Sequence, residues 1–176
     1  MIGPVVLTLP LILGAAQDNV PPNWKLHETP EGRFAVAMPG TPVKKEQQVK
    51  TAKGELRVTI WIAEGRLDSS FVVSYTDYAK ADAKPEDEDK RLEQACKGAI
   101  EKSRGKLRGE ARSIKLDGKH PGREIMIEKD GEVIARMRIY LVENRLFQVM
   151  VLGGGPVFAS KEKDVGVFLD SFRLIK

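Results

Sequence analysis

Apolar and polar residues alternate along much of the chain, and this period of two predicts β-strands. The period of two begins at Trp24. In residues 34–38 large apolar side chains alternate with alanine, and a Pro- and Gly-containing turn follows at residues 39–42. The alternation returns over 56–62, and residues 71–75 are apolar on both faces, as expected for a central strand. Residues 43–50 are polar on both faces, which indicates an edge strand protected by lysines.

The pattern changes to a helical period in the middle of the chain. Pro85 and the acidic residues 86–89 are typical of a helix N-terminus, where acids are stabilising, so this run is interpreted as a solvated first turn and not as a cation site. Gly105 is the predicted C-cap. Apolar residues at spacings of three and four form one face of this helix: Leu92, Ala95, Cys96, Ala99 and Ile100.

The strands after this helix are joined by short turns. Asp130-Gly131 is the preferred pair for a type I′ hairpin turn, and it joins the strand that starts at Arg123 to the next one. A second short turn is predicted at residues 143–144. A second helix follows with Ser160 as its N-cap. The apolar face of that helix is Val165, Phe168, Leu169 and Phe172.

These elements predict an α+β fold. Hairpin connections pair strands in antiparallel fashion, and strands that are apolar on both faces need cover on both sides. We therefore expect an α/β/α sandwich with a central antiparallel sheet of about seven strands and one main helix on each face. A two-sheet β-sandwich is the alternative, disfavoured by the long helix in mid-chain.

The N-terminal segment indicates export from the cytoplasm. Residues 1–16 are predicted to be a signal peptide cleaved after Ala16, because an uncharged apolar run is followed by small residues. No basic residue precedes the run, so an uncleaved anchor is the alternative, although the run is too short for a stable membrane span. Residues 17–23 are then a linker, and 24–176 a single domain in a secreted or periplasmic protein.

Charge and cysteine content narrow the function classes. The net charge is +4, but the basic residues are scattered and aromatic residues make up only 6%, so nucleic-acid binding is not expected. Cys96 is the single cysteine, which excludes an intramolecular disulfide. Its place on the apolar helix face favours a buried small hydrophobe over a nucleophile or redox thiol. We expect a monomer.

Several short segments resemble small secreted bacterial proteins of uncharacterised function with a Mog1/PsbP-like fold. The resemblance covers most of residues 24–175. Relatives of this fold include a Ran-binding nuclear factor and a subunit of the photosystem oxygen-evolving complex, so the resemblance implies a fold and an accessory or binding role, and carries over no site residue. The segments that carry it are residues 34–42 (FAVAMPGTP), 121–124 (PGRE), 136–142 (RMRIYLV), 144–147 (NRLF) and 168–172 (FLDSF).

Residues that could support catalysis or cofactor binding are few. His27 and His120 have no second histidine or cysteine at metal-ligand spacing, so no metal site is predicted. His120 is interpreted as an exposed turn residue rather than a general base. The glycines at 153–155 precede a helix but lack the ending of a phosphate-binding loop, and Ser160 with Lys161 is the remaining anion candidate there. We expect no cofactor.

An arginine cluster is the most specific feature. A two-residue turn at Asp130-Gly131 places Arg123 opposite Arg138, and Arg136 then shares the same sheet face. Like charges directly opposite each other are destabilising, so an anion is expected among them.

The source of that anion separates two functions. Carboxylates from a covering helix, such as Asp89 or Glu93, are the favoured source, since proteins commonly pair buried guanidinium groups internally. The chain is then a secreted or periplasmic, non-catalytic accessory or binding protein whose partner is an unknown protein or anionic ligand. The alternative is an external anion, such as a phosphate or uronate, bound by an enzyme or binding module in which His120 or Asp77 supplies acid/base chemistry.

Overall fold

The computed structural model of the protein describes residues 20–51, 54–79 and 87–176. The predicted signal peptide, the first three residues of the predicted linker and Pro85 lie outside these residues. The strands and helices are β1 (Trp24–Thr29), β2 (Phe34–Pro39), β3 (Val43–Thr51), β4 (Gly54–Glu64), β5 (Ser70–Asp77), α1 (Glu88–Ser103), β6 (Lys106–Leu107), β7 (Arg112–Leu116), β8 (His120–Lys129), β9 (Glu132–Val142), β10 (Arg145–Leu152), α2 (Gly155–Ser160), α3 (Glu162–Ser171) and β11 (Arg173–Leu174).

Eight strands form one large antiparallel sheet, which confirms the predicted fold class. Their order is β3-β4-β5-β10-β9-β8-β6, and β7 also pairs with β8. The lysine-rich β3 lies at the edge, as its pattern predicts. Among the described residues, no helix is long and apolar enough to cross a membrane.

The two helices that the sequence predicts lie on opposite faces of this sheet. Leu92 and Cys96 of α1 pack with apolar side chains of β8, β9 and β10 in one core. Phe168 and Leu169 of α3 pack in a second core on the other face. The layered arrangement therefore follows the prediction.

The first two strands do not join the large sheet. β1, β2 and β11 form a three-stranded sheet beside α3, and β2 is buried along its whole length. The ring of Phe34 lies 5.1 Å from that of Trp61 in the large sheet and 5.6 Å from that of Phe172. The small sheet thus shares with α3 the cover of one face.

Two predicted helix ends are corrected by the structure. The left-handed residue that ends α1 is Arg104 (φ 54°), whereas Gly105 lies so close to β8 that a Cβ atom there would be 2.7 Å from the carbonyl oxygen of Glu128. Ser160 is the last residue of α2, and the N-cap of α3 is Lys161. The sequence thus located the end of α1 and the start of α3 to within one residue. Glycine is required at position 105 because α1 approaches β8 closely there, and not because the backbone turns.

The predicted register of the β8–β9 hairpin is wrong beyond its first pairs. The turn itself is as expected, with positive φ at Asp130 and Gly131 and with Lys129 opposite Glu132. A β-bulge follows, in which β9 carries one extra residue, Ile134. Every later side chain of β9 is therefore shifted by one position relative to β8.

This shift changes which charged groups meet. Arg138 pairs with Glu124 and not with Arg123, which pairs with Ile139. The prediction for the next hairpin is confirmed, since Arg138 lies opposite Val149. Arg136 and Arg138 consequently share the face covered by α3, and Arg123 points to the face covered by α1.

Candidate functional site

An apolar groove lies between α1 and the large sheet. Its volume is about 700 Å³, within the range of roughly 300–1,000 Å³ typical of small-ligand sites. Strands β3, β4, β5, β9 and β10 supply its floor and α1 supplies a wall. We call it the α1 groove. Its aliphatic floor includes Leu56, Val58, Ile60, Ile62, Val72 and Met150.

The groove exists because α1 covers only part of the sheet face. The helix contacts β6, β8 and β9, so the floor formed by β3, β4 and β5 extends beyond it. On the side that borders the groove, α1 presents the small residues Ala95, Gly98 and Ala99. These side chains leave space that a Leu or Met would fill.

Strand β4 shows how the sequence builds this floor. Trp61 and Thr59 point to the α3 side and are 7% and 4% exposed, whereas Ile60 and Ile62 point into the groove and are only half-buried. Because side chains alternate along a strand, Thr59 and Trp61 lie on one face of β4 and the isoleucines on the other. The isoleucines are nevertheless the more exposed of the two sets, because other elements cover their face of the sheet less completely. A partly open aliphatic row is the pattern expected of a ligand surface.

Polarity changes along the length of the groove. In one cross-strand row, Ile62, Val72 and Met150 lie side by side, so this end is apolar. Two rows further along, Thr76 lies opposite Val58, whose other neighbour is Gln47. Leu146 on the other side of Thr76, and Leu56 in the next row, are aliphatic. The second end therefore offers hydrogen-bonding groups among aliphatic side chains.

Arg91 of α1 lies at this polar end. Its guanidinium carbon is 4.7 Å from the ring centre of Tyr78, two residues beyond Thr76. Burial raises the pKa of the Tyr78 hydroxyl above its ordinary value, although the charge of Arg91 opposes the increase. The Nη2 atom of Arg91 is shielded from solvent and has no hydrogen-bond partner among the described residues.

Cations are the ionised groups that line the α1 groove. Arg91 lies at the polar end and Lys102 is exposed on the same wall; no carboxylate is among the lining side chains that the structure describes. The two positions are eleven residues apart on α1, which corresponds to about 16 Å.

Two of the predicted anion-binding arginines meet at Glu124 instead. This buried carboxylate accepts a hydrogen bond of 2.6 Å from Nε of Arg138, one of 3.2 Å from Nη2 of Arg136 and one of 2.8 Å from Nη2 of Arg112. Together these residues form what we call the Glu124 cluster. Glu124 was missed because the bulge in β9, which the sequence pattern does not show, places Arg136 and Arg138 on the same face as Glu124.

Carboxylates of α3 complete the charge balance of the cluster. Glu162 accepts a hydrogen bond of 2.8 Å from Arg136, and Asp170 lies 2.7 Å from Arg138, which also donates to the carbonyl oxygen of Leu169. The pairing joins α3 to the sheet.

Arg123 is separate from the Glu124 cluster. On the opposite face it pairs at 2.8 Å with Asp89 of α1, one of the two carboxylates that the sequence analysis offered. Each of the three predicted arginines therefore has an internal carboxylate, and their binding of an external anion stays a prediction.

The Glu124 cluster shifts proton affinities. Burial opposes ionisation of Glu124, but hydrogen bonds and charge from Arg138 and Arg136 outweigh it, so the pKa of Glu124 lies below its ordinary value. Burial raises the pKa of neighbouring Tyr140 despite the charge of Arg138. The carboxylate is thus held in its ionised form as a structural counterion.

A second buried arginine, Arg145, escaped sequence analysis. It donates to both carboxylate oxygens of Asp77 at 2.6 and 2.7 Å, and its Nη1 donates to the carbonyl oxygen of Gly32 at 2.8 Å. Its guanidinium carbon also lies 3.9 Å from the centre of the Tyr75 ring. The available signal in the sequence was its position directly after the turn at residues 143–144, because an arginine at the start of a strand can reach the ends of neighbouring strands and loops.

The two candidate acid/base residues of the alternative function, His120 and Asp77, lie apart. Asp77 lies at the end of β5 and is hydrogen-bonded to Arg145, whereas His120 is the first residue of β8. Strands β10 and β9 lie between β5 and β8. Three strand spacings correspond to about 14 Å. His27 forms a hydrogen bond of 2.8 Å with the carbonyl oxygen of Gly40, a structural contact in the small sheet.

The remaining candidates have structural roles. A Cβ at Gly155 would be 3.1 Å from a carboxylate oxygen of Glu132, and the amide of Gly153 donates to Ile134, so the loop at 153–155 faces an acid. Cys96 is buried, which raises the pKa of its thiol. Within residues 20–51, 54–79 and 87–176, no group of three or more histidine, cysteine or acidic side chains is arranged to hold a metal ion.

Comparison with known proteins supports the fold. No protein-family model matches the sequence, and no curated protein sequence does so either. The solution structure of cyanobacterial PsbP (CyanoP) from Synechocystis sp. PCC 6803 is similar, with a TM-score of 0.55 at 12% sequence identity, over 96% of this chain and 98% of that chain. The chain therefore has the PsbP-like fold that its sequence predicts.

Proposed function

We propose that this chain is a secreted or periplasmic, non-catalytic binding protein whose ligand occupies the α1 groove. The observation that carries the proposal is the groove itself: about 700 Å³, floored by half-buried aliphatic side chains and walled by the small residues of α1. The N-terminal apolar segment of the sequence supports export. An accessory role is also what a PsbP-like fold implies.

The chemistry of the floor indicates an apolar ligand. Leu56, Val58, Ile60 and Ile62 alternate along β4 over about 20 Å, and their exposed surface gains hydrophobic free energy when a ligand removes it from water. Ser74 and Gln148, which lie opposite each other on β5 and β10, supply hydrogen bonds between the aliphatic rows. A pocket of mostly apolar lining with a few polar groups is typical of a small-molecule site.

The test uses an uncharged probe, Nile red, whose fluorescence rises in apolar surroundings. We expect saturable binding of one dye per chain to the wild type. Ala99→Trp places an indole in the groove and abolishes the binding. Ala159→Trp makes the same substitution on exposed α2, outside the groove, and leaves the binding unchanged.

Near-UV circular dichroism and thermal unfolding establish that both variants fold. A wild type without saturable dye binding would overturn the proposal. Equal binding by folded Ala99→Trp would overturn it too, because the dye would then lie elsewhere on the molecule.

A further inference from the structure

We propose that the natural ligand of the α1 groove is a long-chain carboxylate, bound with its carboxylate at Arg91 and its alkyl chain on the row formed by Ile62, Val72 and Met150. This inference rests on the proposed function and specifies its ligand. It follows from three observations: the shape of the groove, its polarity and its charge.

The shape of the groove suits a chain. Its floor runs from Leu56 to Ile62, six residues along one strand or about 20 Å, whereas the total volume is about 700 Å³. Five strands supply this floor, so it is also about 19 Å wide, and the groove is a shallow trough rather than a tube. An extended alkyl chain lying along β4 fits within its length and faces the aliphatic side chains of the floor.

The polarity of the groove orients that chain. At one end the side chains of Ile62, Val72 and Met150 lie in neighbouring strands with no polar side chain between them. At the other end Thr76 and Gln47 flank Val58, and Tyr78 with Arg91 lies just beyond. An amphiphile bound with its head at Arg91 buries apolar atoms against apolar atoms and hydrogen-bonds its polar atoms.

The charge of the groove determines the kind of head group. The ionised side chains among the described lining residues are Arg91 and Lys102, both cationic. A carboxylate head is complementary to this charge, whereas an ammonium head is repelled. Arginine also presents two parallel donors that match the two oxygens of a carboxylate.

Arg91 lacks the partner that such a ligand would supply. Its Nη2 atom is buried without a hydrogen bond among the described residues, and buried donors are nearly always paired in folded proteins. Nε of Arg136 is likewise buried without a hydrogen bond, although the other two nitrogens of that guanidinium donate to Glu162 and Glu124. Arg91 lines the groove, and a carboxylate oxygen bound to its guanidinium would supply an acceptor that the described residues do not.

The test compares three ligands with the same chain and different heads: tetradecanoate, tetradecanol and tetradecyltrimethylammonium. Each competes with Nile red for full-length protein below its micelle-forming concentration. For the wild type we expect tetradecanoate to bind at least about tenfold more tightly than tetradecanol, since a charge-assisted hydrogen bond is the difference between them. The ammonium compound is expected to be the weakest competitor.

Variants locate the head group. Arg91→Gln should remove the preference for tetradecanoate, measured as the ratio of the affinities for tetradecanoate and tetradecanol in the same variant. Lys102→Gln removes the other lining cation, which is exposed and about 16 Å away along α1, and should keep most of the preference. Shortening the carboxylate from 14 to 12 and 10 carbons should weaken binding about threefold to fourfold per methylene.

The outcomes separate this inference from the proposed function. Equal affinities for the acid and the alcohol, or a preference lost in Lys102→Gln but kept in Arg91→Gln, would overturn the inference while Nile red binding still supports a groove ligand. Nile red binding that none of the three chains displaces would overturn the alkyl ligand. An absence of Nile red binding would overturn the proposed function and the inference together.

Discussion

Glu124 of β8 accepts a hydrogen bond of 2.6 Å from Nε of Arg138 across the bulged hairpin with β9. The carboxylate is 7% exposed and two further arginines bind it. A buried ion pair that loses one partner leaves uncompensated charge, which is costly. Arg136 and Arg138, which the sequence predicts to form a cluster, are therefore stabilised by Glu124, a residue that the sequence pattern does not identify.

Glu124→Gln is expected to lower the free energy of unfolding by about 3 kcal/mol. The amide keeps the volume of the side chain but removes the charge that offsets Arg136 and Arg138. Urea denaturation followed by circular dichroism measures the change. Glu162→Gln is the matched control, since Glu162 also pairs with Arg136 but its side chain is 69% exposed, and it should cost less than about 1 kcal/mol. Equal costs for the two variants would contradict this account.

The stability of the wild type is expected to fall in acid through Glu124. Because the pKa of Glu124 is lower in the folded than in the unfolded state, the ion pairs contribute fully above its ordinary pKa and are lost as pH falls through the lowered one. The difference in unfolding free energy between wild type and Glu124→Gln should therefore be largest near pH 7 and shrink below about pH 4.5. Denaturation curves at pH 7, 5, 4 and 3 measure it. A difference that stays constant over this range would show that the carboxylate charge is not responsible.

Two glycine substitutions at α1 are expected to have opposite signs. Gly105→Ala introduces a Cβ 2.7 Å from both the carbonyl oxygen of Glu128 and a methyl of Ile127, so we expect a loss of about 2 kcal/mol. Gly98→Ala meets nothing within 4 Å and lies inside the helix, where alanine is favoured by about 1 kcal/mol. Thermal unfolding of both variants measures the effect. A stabilised Gly105→Ala protein would mean that α1 does not approach β8 this closely.

Phosphate and galacturonate, which lack an alkyl chain, are expected to leave the thermal stability of the protein unchanged at constant ionic strength. Arg123, Arg136 and Arg138 each have an internal carboxylate within 3.2 Å, so phosphate and galacturonate meet no unpaired guanidinium there. Thermal shift with chloride as the ionic-strength control measures this. A saturable rise in Tm that Arg138→Ala abolishes, in protein that still folds, would support the external-anion site instead.

The sequence predicted the layered fold well because its signals are local. Period-two alternation, the pair Asp130-Gly131 and the apolar face of α1 each depend on neighbouring residues. The separate small sheet was not predictable in this way. Phe34 packs against Trp61 and Phe172, and neither contact leaves a trace in the pattern around residue 34.

The candidate sites were harder to predict for a related reason. One extra residue in β9 exchanges the partners of Arg138, and the pairs next to the turn do not reveal it, because the predicted and the observed register are the same there and differ only beyond Glu128. The alternation of Ile60 with Trp61 is clear in the sequence, but it does not tell which face other elements will cover. The α1 groove follows from where α1 lies, a property of packing and not of any motif.

Arg145 has a consequence for how the chain reaches its native state. Its guanidinium joins Asp77 and Gly32, which lie 68 and 113 residues away in sequence. Contacts between such distant segments slow folding, because loops must close before the contacts form. Before the β1–β2 turn docks, Nη1 of Arg145 has no carbonyl acceptor and must be hydrated by water. A compact intermediate that excludes water from this guanidinium before the turn docks is therefore disfavoured. The N-terminal hairpin and the large sheet are thereby coupled into one cooperative folding unit, although they share no strand pairing.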